Sequence, residues 1–264
     1  MDLGLKNSVA LITGASRGLG FATARLMAQE GAHVVINSRS QDKLSEAAKI
    51  ISETTGQKVL SFPGDVAQPD LPEKLVDFVV QQFGGIDILV ANAGGPPPGN
   101  FTALNDDTWL TAFELNFMSN VRLIRAALPY LKKSDRASVL TITSHFTKQP
   151  TNPNLILSTS IRSATIGLTK SLALELAGQG IRFNSILPAW TDTERVQNLM
   201  INQAKTNGTT VEEEIRKTSA DSPMGRMGRP DEFANAAVFL VSPAASYITG
   251  TMLNVDGGMN KSIY

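Results

Sequence analysis

The sequence predicts one doubly wound α/β domain over residues 1–264, with a mostly parallel seven-stranded sheet and helices on both faces. Three observations predict this fold. Short apolar runs alternate with longer segments whose apolar residues recur with a period of about 3.6. The short runs are apolar almost throughout, as strands are when helices cover both sides of a sheet. A chain of 264 residues is long enough for one domain with a substantial core.

Seven apolar runs are assigned as strands, and helical segments separate them. In chain order the runs are Ser8 to Thr13, His33 to Asn37, Val59 to Phe62, Asp87 to Ala91, Ser138 to Thr143, Ile181 to Leu187 and Met252 to Val255. Leu71 to Phe83 and Asp231 to Val241 show the helical period. Because strand and helix alternate along the chain, the connections are expected to be crossovers that make the pairing parallel.

Composition argues against several classes of function. Lys plus Arg and Asp plus Glu total 24 each, and no run of like charge suggests nucleic acid or a membrane surface as partner. Cysteine is absent and two histidines are too few for an ordinary zinc site, so no metal is expected. The first residues do not resemble a signal peptide, and no apolar stretch approaches the ~20 residues of a membrane helix. We therefore expect a cytoplasmic protein with a small-molecule partner.

A glycine-rich turn, Thr13 to Gly20, follows the first strand and opens the first helix. Glycines there let the main chain approach a pyrophosphate, and the positive end of the helix dipole favours its charge. This arrangement predicts a Rossmann-type dinucleotide site rather than an ordinary tight turn. Its expected cofactor-binding residues are Gly14, Ser16, Arg17, Gly18, Leu19 and Gly20.

The end of the second strand indicates which dinucleotide is bound. Ser38 and Arg39 stand there, and no acidic residue is present to bind a ribose 2′-hydroxyl. Arg39, with Arg17 and Ser38, offers donors suited to a 2′-phosphate. NADP(H) is therefore expected rather than NAD(H), the alternative being that Arg39 is only a solvated charge.

Several further motifs resemble those of the short-chain dehydrogenase/reductase family. They are Asp65-Val66, Asn92-Ala93-Gly94, Asn116, Ser144, the segment Pro188 to Thr193, the segment Pro223 to Pro230, and Ile248-Thr249-Gly250 with Val255 to Gly258. The match runs from about Lys6 to Gly258 and is most similar to the 3-oxoacyl-carrier-protein reductase and glucose dehydrogenase branch. Such a resemblance implies an oxidoreductase acting on a carbonyl or alcohol.

The resemblance also implies roles for individual residues. The implied cofactor contacts are Asp65 and Val66 with the adenine, Asn92, Ala93 and Gly94 in the Asn-Ala-Gly turn, and Pro188, Thr191 and Thr193 with the nicotinamide carboxamide. Asn116 falls at the catalytic asparagine and Ser144 at the serine that orients the substrate. Two positions depart from the family pattern, since Ala91 replaces an asparagine and Ala189 a glycine.

The largest departure concerns the Tyr-x-x-x-Lys motif of the family. Counting back from Gly167 places Ser158 at the tyrosine and Arg162 at the lysine, with one residue inserted near residues 151–154. The tyrosines of the chain, Tyr130, Tyr247 and Tyr264, all lie far from this segment in sequence, and Tyr247 is expected to pack beside the last strand.

The presence of Ser158 and Arg162 in place of the tyrosine and lysine changes which group can supply a proton to the substrate oxygen. A phenol with a pKa of about 10 can be tuned by a nearby cation, whereas a serine hydroxyl is a much weaker acid. Arg162 lies one helical turn from Ser158 on the same face, so it can hold ribose hydroxyls and polarise Ser158. It is not expected to titrate in a relay as lysine does.

Three interpretations remain open. The protein is an NADP(H)-dependent oxidoreductase in which Ser144 and Ser158 bind the carbonyl oxygen, while water or His145 supplies the proton. Alternatively, it is a non-catalytic NADP-binding sensor or scaffold, or it acts on an imine or activated double bond that needs no such acid. For His145 the competing expectation is a loop histidine that points into solvent, since alternation along the strand turns it away from Ser144.

Residues 192–229 are expected to form a substrate lid. Thr210 and Glu213 make a capping-box pattern that predicts a helix toward Thr218. The methionines of this segment suit either an adaptable apolar pocket or packing of the lid itself. An apolar pocket would favour an apolar or acyl-bearing carbonyl substrate.

A stripe of apolar residues is consistent with oligomerisation. It comprises Ile161, Thr165, Leu168, Leu172 and Leu176, with Leu123 and Leu131 on a second helix. The family resemblance implies a homodimer or homotetramer, and the alternative is that both helices use these residues to pack on their own sheet.

Overall fold

A single parallel sheet of seven strands organises the computed structural model, which describes residues 2–263. The strands are β1 Val9–Ile12, β2 His33–Ser38, β3 Val59–Pro63, β4 Ile88–Ala91, β5 Ser138–Ile142, β6 Arg182–Pro188 and β7 Met252–Val255. Their order is β3-β2-β1-β4-β5-β6-β7, and all six pairings are parallel. The predicted Rossmann-type fold is confirmed, with every pairing parallel where a mostly parallel sheet was expected.

Helices cover both faces of this sheet. They are α1 Gly18–Gln29, α2 Gln41–Thr55, α3 Leu71–Phe83, α4 Asp106–Phe113, α5 Ser119–Leu131, α6 Ile156–Leu176, α7 Glu194–Asn207, α8 Val211–Ala220 and α9 Pro230–Val241. Consecutive residues of β1 alternate between two cores, with Ile12 facing α1, α2 and α9 and Leu11 facing α3, α5 and α6. Burial on both faces explains why the strands are so apolar in sequence.

The strand order places a crevice at the carboxyl edge of the sheet. From β1 the chain winds outward through β2 and β3, and from β4 it winds the other way through β5, β6 and β7. The loops that follow β1 and β4 therefore diverge, which opens the crevice where such sheets bind ligands.

Two short turns, one π-helical and one 3-10, lie around this crevice. A π-helical turn, Glu114–Met118, separates α4 from α5, and Asn116 is buried within it. Turns of this kind are frequent at functional sites. A 3-10 turn, His145–Thr147, follows β5 directly, so the chain turns sharply just after the strand.

The expected lid consists of two helices, α7 and α8. The capping box of Thr210 is present, with hydrogen bonds of 3.2 Å from Glu213 N to Thr210 Oγ1 and 3.1 Å from Thr210 N to Glu213 Oε2. Met200 is buried and accepts a hydrogen bond from Thr218 across the two helices. This methionine therefore packs between α7 and α8, whereas Met224 is exposed and lines a cavity of about 160 Å³ with Trp190.

Two other expectations about side chains are also settled by the structure. Leu123, Leu131 and Leu176 are buried in the molecule's own core, with Leu168 and Leu172 packed against it, so most of the stripe serves internal packing. Tyr247 is fully exposed, so the expectation that it packs beside β7 is wrong. Within residues 2–263, no helix is long and apolar enough to span a membrane.

Candidate active site and cofactor crevice

The turn between β1 and α1 is shaped by its glycines. Gly14 and Gly18 have φ values of 59° and 60°, in the left-handed region that favours glycine. A Cβ on Gly20 would lie 2.6 Å from the main-chain oxygen of Gly14, so no side chain fits there. At the start of α1, Arg17 provides no side-chain cap and no acidic residue occupies the first turn. The free N–H groups and the positive end of this helix therefore suit an anion.

Asn92 joins this turn to the loop that follows β4. Its Nδ2 donates a 3.1 Å hydrogen bond to Gly14 O, and its main chain exchanges two hydrogen bonds with Thr13 Oγ1. Ala93 and Gly94 continue from there along the crevice. Asn92 thus has a clear structural role, because it fixes the spacing of the two loops that diverge at the switch point.

The end of β2 carries an unsatisfied polar atom. The hydroxyl of Ser38 is buried and finds no hydrogen-bond partner among residues 2–263, although a buried hydroxyl without a partner is costly. Arg39, the next residue, is exposed and forms no ion pair with a described carboxylate. A hydroxyl and a guanidinium without protein partners, on consecutive residues, fit a phosphate group.

The loop after β3 is ordered by Asp65. One carboxylate oxygen of Asp65 accepts a 3.0 Å hydrogen bond from Ala67 N, and its main-chain oxygen accepts one from Gln68 N. Val66 is buried in the core beneath the loop. The structure therefore holds Asp65 half-buried at the carboxyl edge of the sheet, one strand away from Ser38.

Residues 188–193 lead from the end of β6 to the start of α7. Thr191 is buried and pairs with Gly228, whereas Thr193 caps α7 by accepting a hydrogen bond from Val196 N. The methyl group of Thr193 lies close to Gly18, within 3.6 Å of where a Cβ would stand. The sequence motif is thus brought next to the glycine-rich turn, as a shared binding site requires.

Arg17 has a partner that sequence analysis missed. Its guanidinium pairs with Glu194, the first residue of α7, rather than standing free beside Ser38. This hydrogen bond from Arg17 holds the pKa of the Glu194 carboxyl below its usual value. No local pattern reveals the contact, because the residues are 177 positions apart in the chain.

Asn116 is positioned by its surroundings on two elements. Its side-chain Nδ2 lies 3.4 Å from Ala112 O, and its main-chain oxygen accepts hydrogen bonds from Asn120 Nδ2 at 2.8 Å and Thr165 Oγ1 at 2.9 Å. Thr165 belongs to α6, the helix that also carries Ser158 and Arg162. The predicted catalytic asparagine is therefore linked directly to that helix.

Ser144 and Ser158 are both half-buried at the carboxyl edge. Ser144 follows β5, and its Oγ accepts a weak 3.4 Å hydrogen bond from Phe146 N. Ser158 is the third residue of α6, and its hydroxyl makes no hydrogen bond to any described residue. Both hydroxyls can therefore donate a hydrogen bond to a ligand.

Arg162 contacts the end of β5. Its Nη1 donates to Ile142 O at 2.7 Å and to Thr143 O at 3.0 Å, and no hydrogen bond joins it to Ser158. Burial, with a smaller effect from the positive charge of Arg195, lowers the pKa of Arg162 to about 10. The guanidinium therefore stays cationic at neutral pH, and part of it is committed to the sheet rather than free to polarise Ser158.

His145 does not point into solvent, so that expectation is wrong. The side chain is buried, its ring centroid lies 3.9 Å from that of Phe146, and Nδ1 lies 3.3 Å from Pro188 O. Since a carbonyl only accepts, the proton resides on Nδ1 and Nε2 is the acceptor. Burial lowers the pKa of His145 below its ordinary value of 6.5, which keeps the ring neutral at pH 7.

A family model described as enoyl-(acyl carrier protein) reductase matches residues 14–260, from the glycine-rich turn to beyond β7. The chain belongs to the short-chain dehydrogenase/reductase family. This result confirms the family that the separated motifs indicated.

Two curated members of the family illustrate the similarity in sequence. Dehydrogenase/reductase SDR family member 4 of Caenorhabditis elegans is 32% identical, covering 98% of this chain and 97% of its own length. The 3-oxoacyl-acyl-carrier-protein reductase FabG of Vibrio cholerae is 33% identical, covering 97% and 99%. The likeness therefore extends over nearly the whole of each chain.

Solved structures of the family are similar to this chain over all or nearly all of their length. L-sorbose reductase from Gluconobacter frateurii, complexed with NADPH and L-sorbose, superposes with a TM-score of 0.95 at 34% identity and covers 100% of both chains. A variant of actinorhodin polyketide ketoreductase with NADPH gives 0.92 at 30% identity, covering 97% of this chain and 98% of its own. Two related structures thus carry the dinucleotide that Ser38 and Arg39 predict.

Proposed function

We propose that the protein is an NADP(H)-dependent oxidoreductase that interconverts a carbonyl compound and an alcohol. The observation that carries the proposal is the unpaired Ser38 hydroxyl beside Arg39, on the same sheet edge as Ser144 and Ser158. NADP(H) fits the residues present: Ser38 and Arg39 would bind the 2′-phosphate, the start of α1 the pyrophosphate, and Thr191 and Thr193 would lie near the carboxamide. Relatives that carry NADPH support this choice of cofactor.

The chain's own residues would act on the substrate oxygen. NADPH, when bound, supplies the hydride for the carbonyl carbon. Ser144 and Ser158 donate hydrogen bonds to the carbonyl oxygen and make the carbon more electrophilic. The cationic Arg162 lies on the turn of α6 next to Ser158 and stabilises the negative charge that develops on this oxygen.

Water is the proton source that this arrangement favours. A serine hydroxyl is too weak an acid to give up its proton, and Arg162 holds its own at neutral pH. His145 is neutral, with its N–H directed at Pro188 O, so it has no acidic proton to offer a substrate. Solvent that reaches the half-buried Ser144 and Ser158 would therefore protonate the oxygen after hydride transfer.

We further propose that Ser158 and Arg162 take the places of the family tyrosine and lysine. Their positions on the first two turns of α6, facing the end of β5, support this assignment. The described tyrosines lie elsewhere, Tyr130 on the last turn of α5 and Tyr247 exposed after α9, while Tyr264 lies outside the described residues.

A non-catalytic NADP-binding sensor or scaffold is the second candidate function. The observation that favours it is Arg162, because hydrogen bonds to Ile142 O and Thr143 O tie its Nη1 to the sheet. Reduction of an imine or an activated double bond is the third, and the enoyl reductase description of the family model is in line with it.

Several finer points stay predictions. The relatives differ in the type of substrate for which they are named. FabG is named for 3-oxoacyl groups, which agrees with the expected apolar or acyl-bearing carbonyl, whereas the Gluconobacter frateurii enzyme is named for the sugar L-sorbose. We also propose that residues 192–229 form the substrate lid, that the protein is cytoplasmic and that it assembles as a homodimer or homotetramer.

Turnover of NADPH tests the main proposal. The purified protein is mixed with NADPH and a panel that includes 3-oxoacyl thioesters, L-sorbose, simple ketones and imines, and the loss of reduced-nicotinamide absorbance is followed. We expect oxidation that Ser144→Ala or Ser158→Ala greatly reduces and that Ser160→Ala, an exposed serine on the same helix, leaves unchanged. Quenching of tryptophan fluorescence by NADPH without turnover on any compound would support the sensor instead.

A further inference from the structure

Arg195, the second residue of α7, crosses the carboxyl edge of the sheet. It follows β6, yet its Nη1 donates to Gly95 O at 3.2 Å and its Nη2 to Pro96 O at 3.3 Å, in the loop that follows β4. In the sheet, β5 lies between β4 and β6. The Arg195 side chain therefore joins the segment after β6 to the loop after β4, and these two strands flank β5 in the sheet.

The end of β5 is where the candidate catalytic residues lie. Ser144 follows the strand, and Arg162 donates to Ile142 O and Thr143 O there. Arg195 is close enough for its charge to contribute to the lowered pKa of Arg162. Two guanidinium groups whose charges interact therefore lie in this part of the crevice, and that of Arg162 bonds to the residue before Ser144.

Neither arginine is neutralised by the protein. Arg162 and Arg195 form no ion pair with a carboxylate of residues 2–263, whereas nearby Arg17 is paired with Glu194. Two like charges without a counter-ion repel each other, and this repulsion is relieved when an anion binds between them.

The loop after β4 is fitted to the Arg195 guanidinium. A Cβ on Gly95 would lie 2.5 Å from Nη2 of Arg195, so any larger residue would displace the group. Only two of the N–H groups of Arg195 are used by Gly95 and Pro96, and the rest of its donors are available to a ligand.

We propose that Arg195, supported by the charge of Arg162, binds a carboxylate of the substrate, so that the preferred substrates are oxo acids rather than neutral ketones or sugars. The inference rests on the proposed function, because it places the carbonyl oxygen of the substrate on Ser144 and Ser158. The cofactor pyrophosphate is the other anion at hand, but its place is at the start of α1 beside Gly18. Arg195 is close enough to Arg17 for the two charges to interact, but both of its hydrogen bonds are made to the loop after β4.

Binding of a matched pair of small molecules tests the proposal. The protein saturated with NADP⁺ is titrated in a calorimeter with oxamate, an unreactive 2-oxo acid analogue, and with oxamide, its neutral counterpart. Because a charge-assisted hydrogen bond contributes more than a neutral one, we expect oxamate to bind about 10-fold or more tightly than oxamide. Arg195→Gln should remove this preference, Arg195→Lys should keep part of it, and Arg125→Gln, an exposed arginine on α5, should keep all of it.

Further measurements separate this inference from the proposed function. The affinity for NADP⁺ is measured for each variant, and Gly95→Ala provides a second way to displace the guanidinium while Arg195 is kept. Equal binding of oxamate and oxamide by the native protein would overturn the proposal. So would an Arg195→Gln variant that keeps the preference but binds NADP⁺ more weakly, since the arginine would then serve the pyrophosphate. If NADP⁺ does not bind and the protein titrated without it still prefers oxamate, the proposed function fails while the anion site stands.

Discussion

The hydroxyl of Thr165 donates a 2.9 Å hydrogen bond to the main-chain oxygen of Asn116 and thereby ties α6 to the π-helical turn before α5. Both residues are buried, and Thr165 stands one turn beyond Arg162 on the same helix. This bond fixes the distance between the helix that carries Ser158 and the segment that carries the predicted catalytic asparagine.

Thr165→Val should weaken this connection without changing the shape of the side chain. Asn116 keeps its second bond from Asn120, so we expect the free energy of unfolding to fall by about 1 kcal/mol, the value of one ordinary hydrogen bond. Chemical denaturation followed by circular dichroism measures it. Thr159→Val, on the same helix and with no side-chain hydrogen bond, is the control and should change stability much less. Equal effects of both changes would show that the bond contributes nothing.

The elements of this fold are predictable because their signals are local. The strand Met252–Val255 has the predicted bounds, and the capping box of Thr210 begins a helix where its side-chain pattern says it should. The glycine-rich turn is equally legible, since the geometry it needs excludes other residues at Gly14 and Gly18. Patterns that involve near neighbours in the chain can be recognised without knowing the fold.

The contacts that define the candidate site are not predictable in this way. Arg195 bonds to Gly95 from 100 positions away, and a charged residue after Thr193 gives no hint of it. His145 was expected in solvent because strand alternation was extended past residue 142, whereas the chain leaves β5 there and enters a 3-10 turn that buries the ring. The alternation of side chains between the two faces of a sheet predicts their orientation only as far as the strand extends.

Arg39→Ala should lower the affinity for NADPH far more than that for NADH. If Arg39 and Ser38 bind the 2′-phosphate, the loss of a charge-assisted pair should weaken NADPH binding by about 10-fold or more. Fluorescence titration with each dinucleotide measures the ratio. Lys58→Ala removes an exposed charge at the opposite end of the sheet and should leave the ratio unchanged. An Arg39 variant with the native ratio would mean that this arginine is only a solvated charge.

Glu194→Gln should strengthen NADPH binding. The carboxylate pairs with Arg17 beside the start of α1, where the pyrophosphate is expected, so its removal frees a cation and takes away a repulsive charge. The charges of Arg17 and Glu194 are both exposed and screened by salt. We therefore expect the affinity for NADPH to rise roughly two- to fivefold at low ionic strength, and less at high salt. Weaker binding by this variant would instead show that the ion pair itself shapes the cofactor crevice.

His145→Gln should keep activity and change the dependence of stability on pH. Burial lowers the folded-state pKa of His145, so the unfolded chain binds this proton more readily than the native one. The native protein should therefore lose stability as the pH falls below about 6.5, down to the lowered folded-state pKa. The glutamine variant should lack this contribution, which thermal unfolding between pH 8 and pH 5 can measure. A loss of turnover in a folded His145→Gln protein would restore the histidine as proton donor.

Ser158→Tyr combined with Arg162→Lys should raise the rate of turnover if proton supply is what limits it. The phenol would occupy the first turn of α6 in place of an unbonded hydroxyl, and a lysine one turn along could lower its pKa into a useful range. The single change Arg162→Lys is the control, because it loses the two-carbonyl contact at the end of β5 without gaining an acid. The comparison is made on kcat with the best substrate of the panel. If the double variant folds, binds NADPH and is no faster, the substrate pocket rather than the proton relay is what sets the rate.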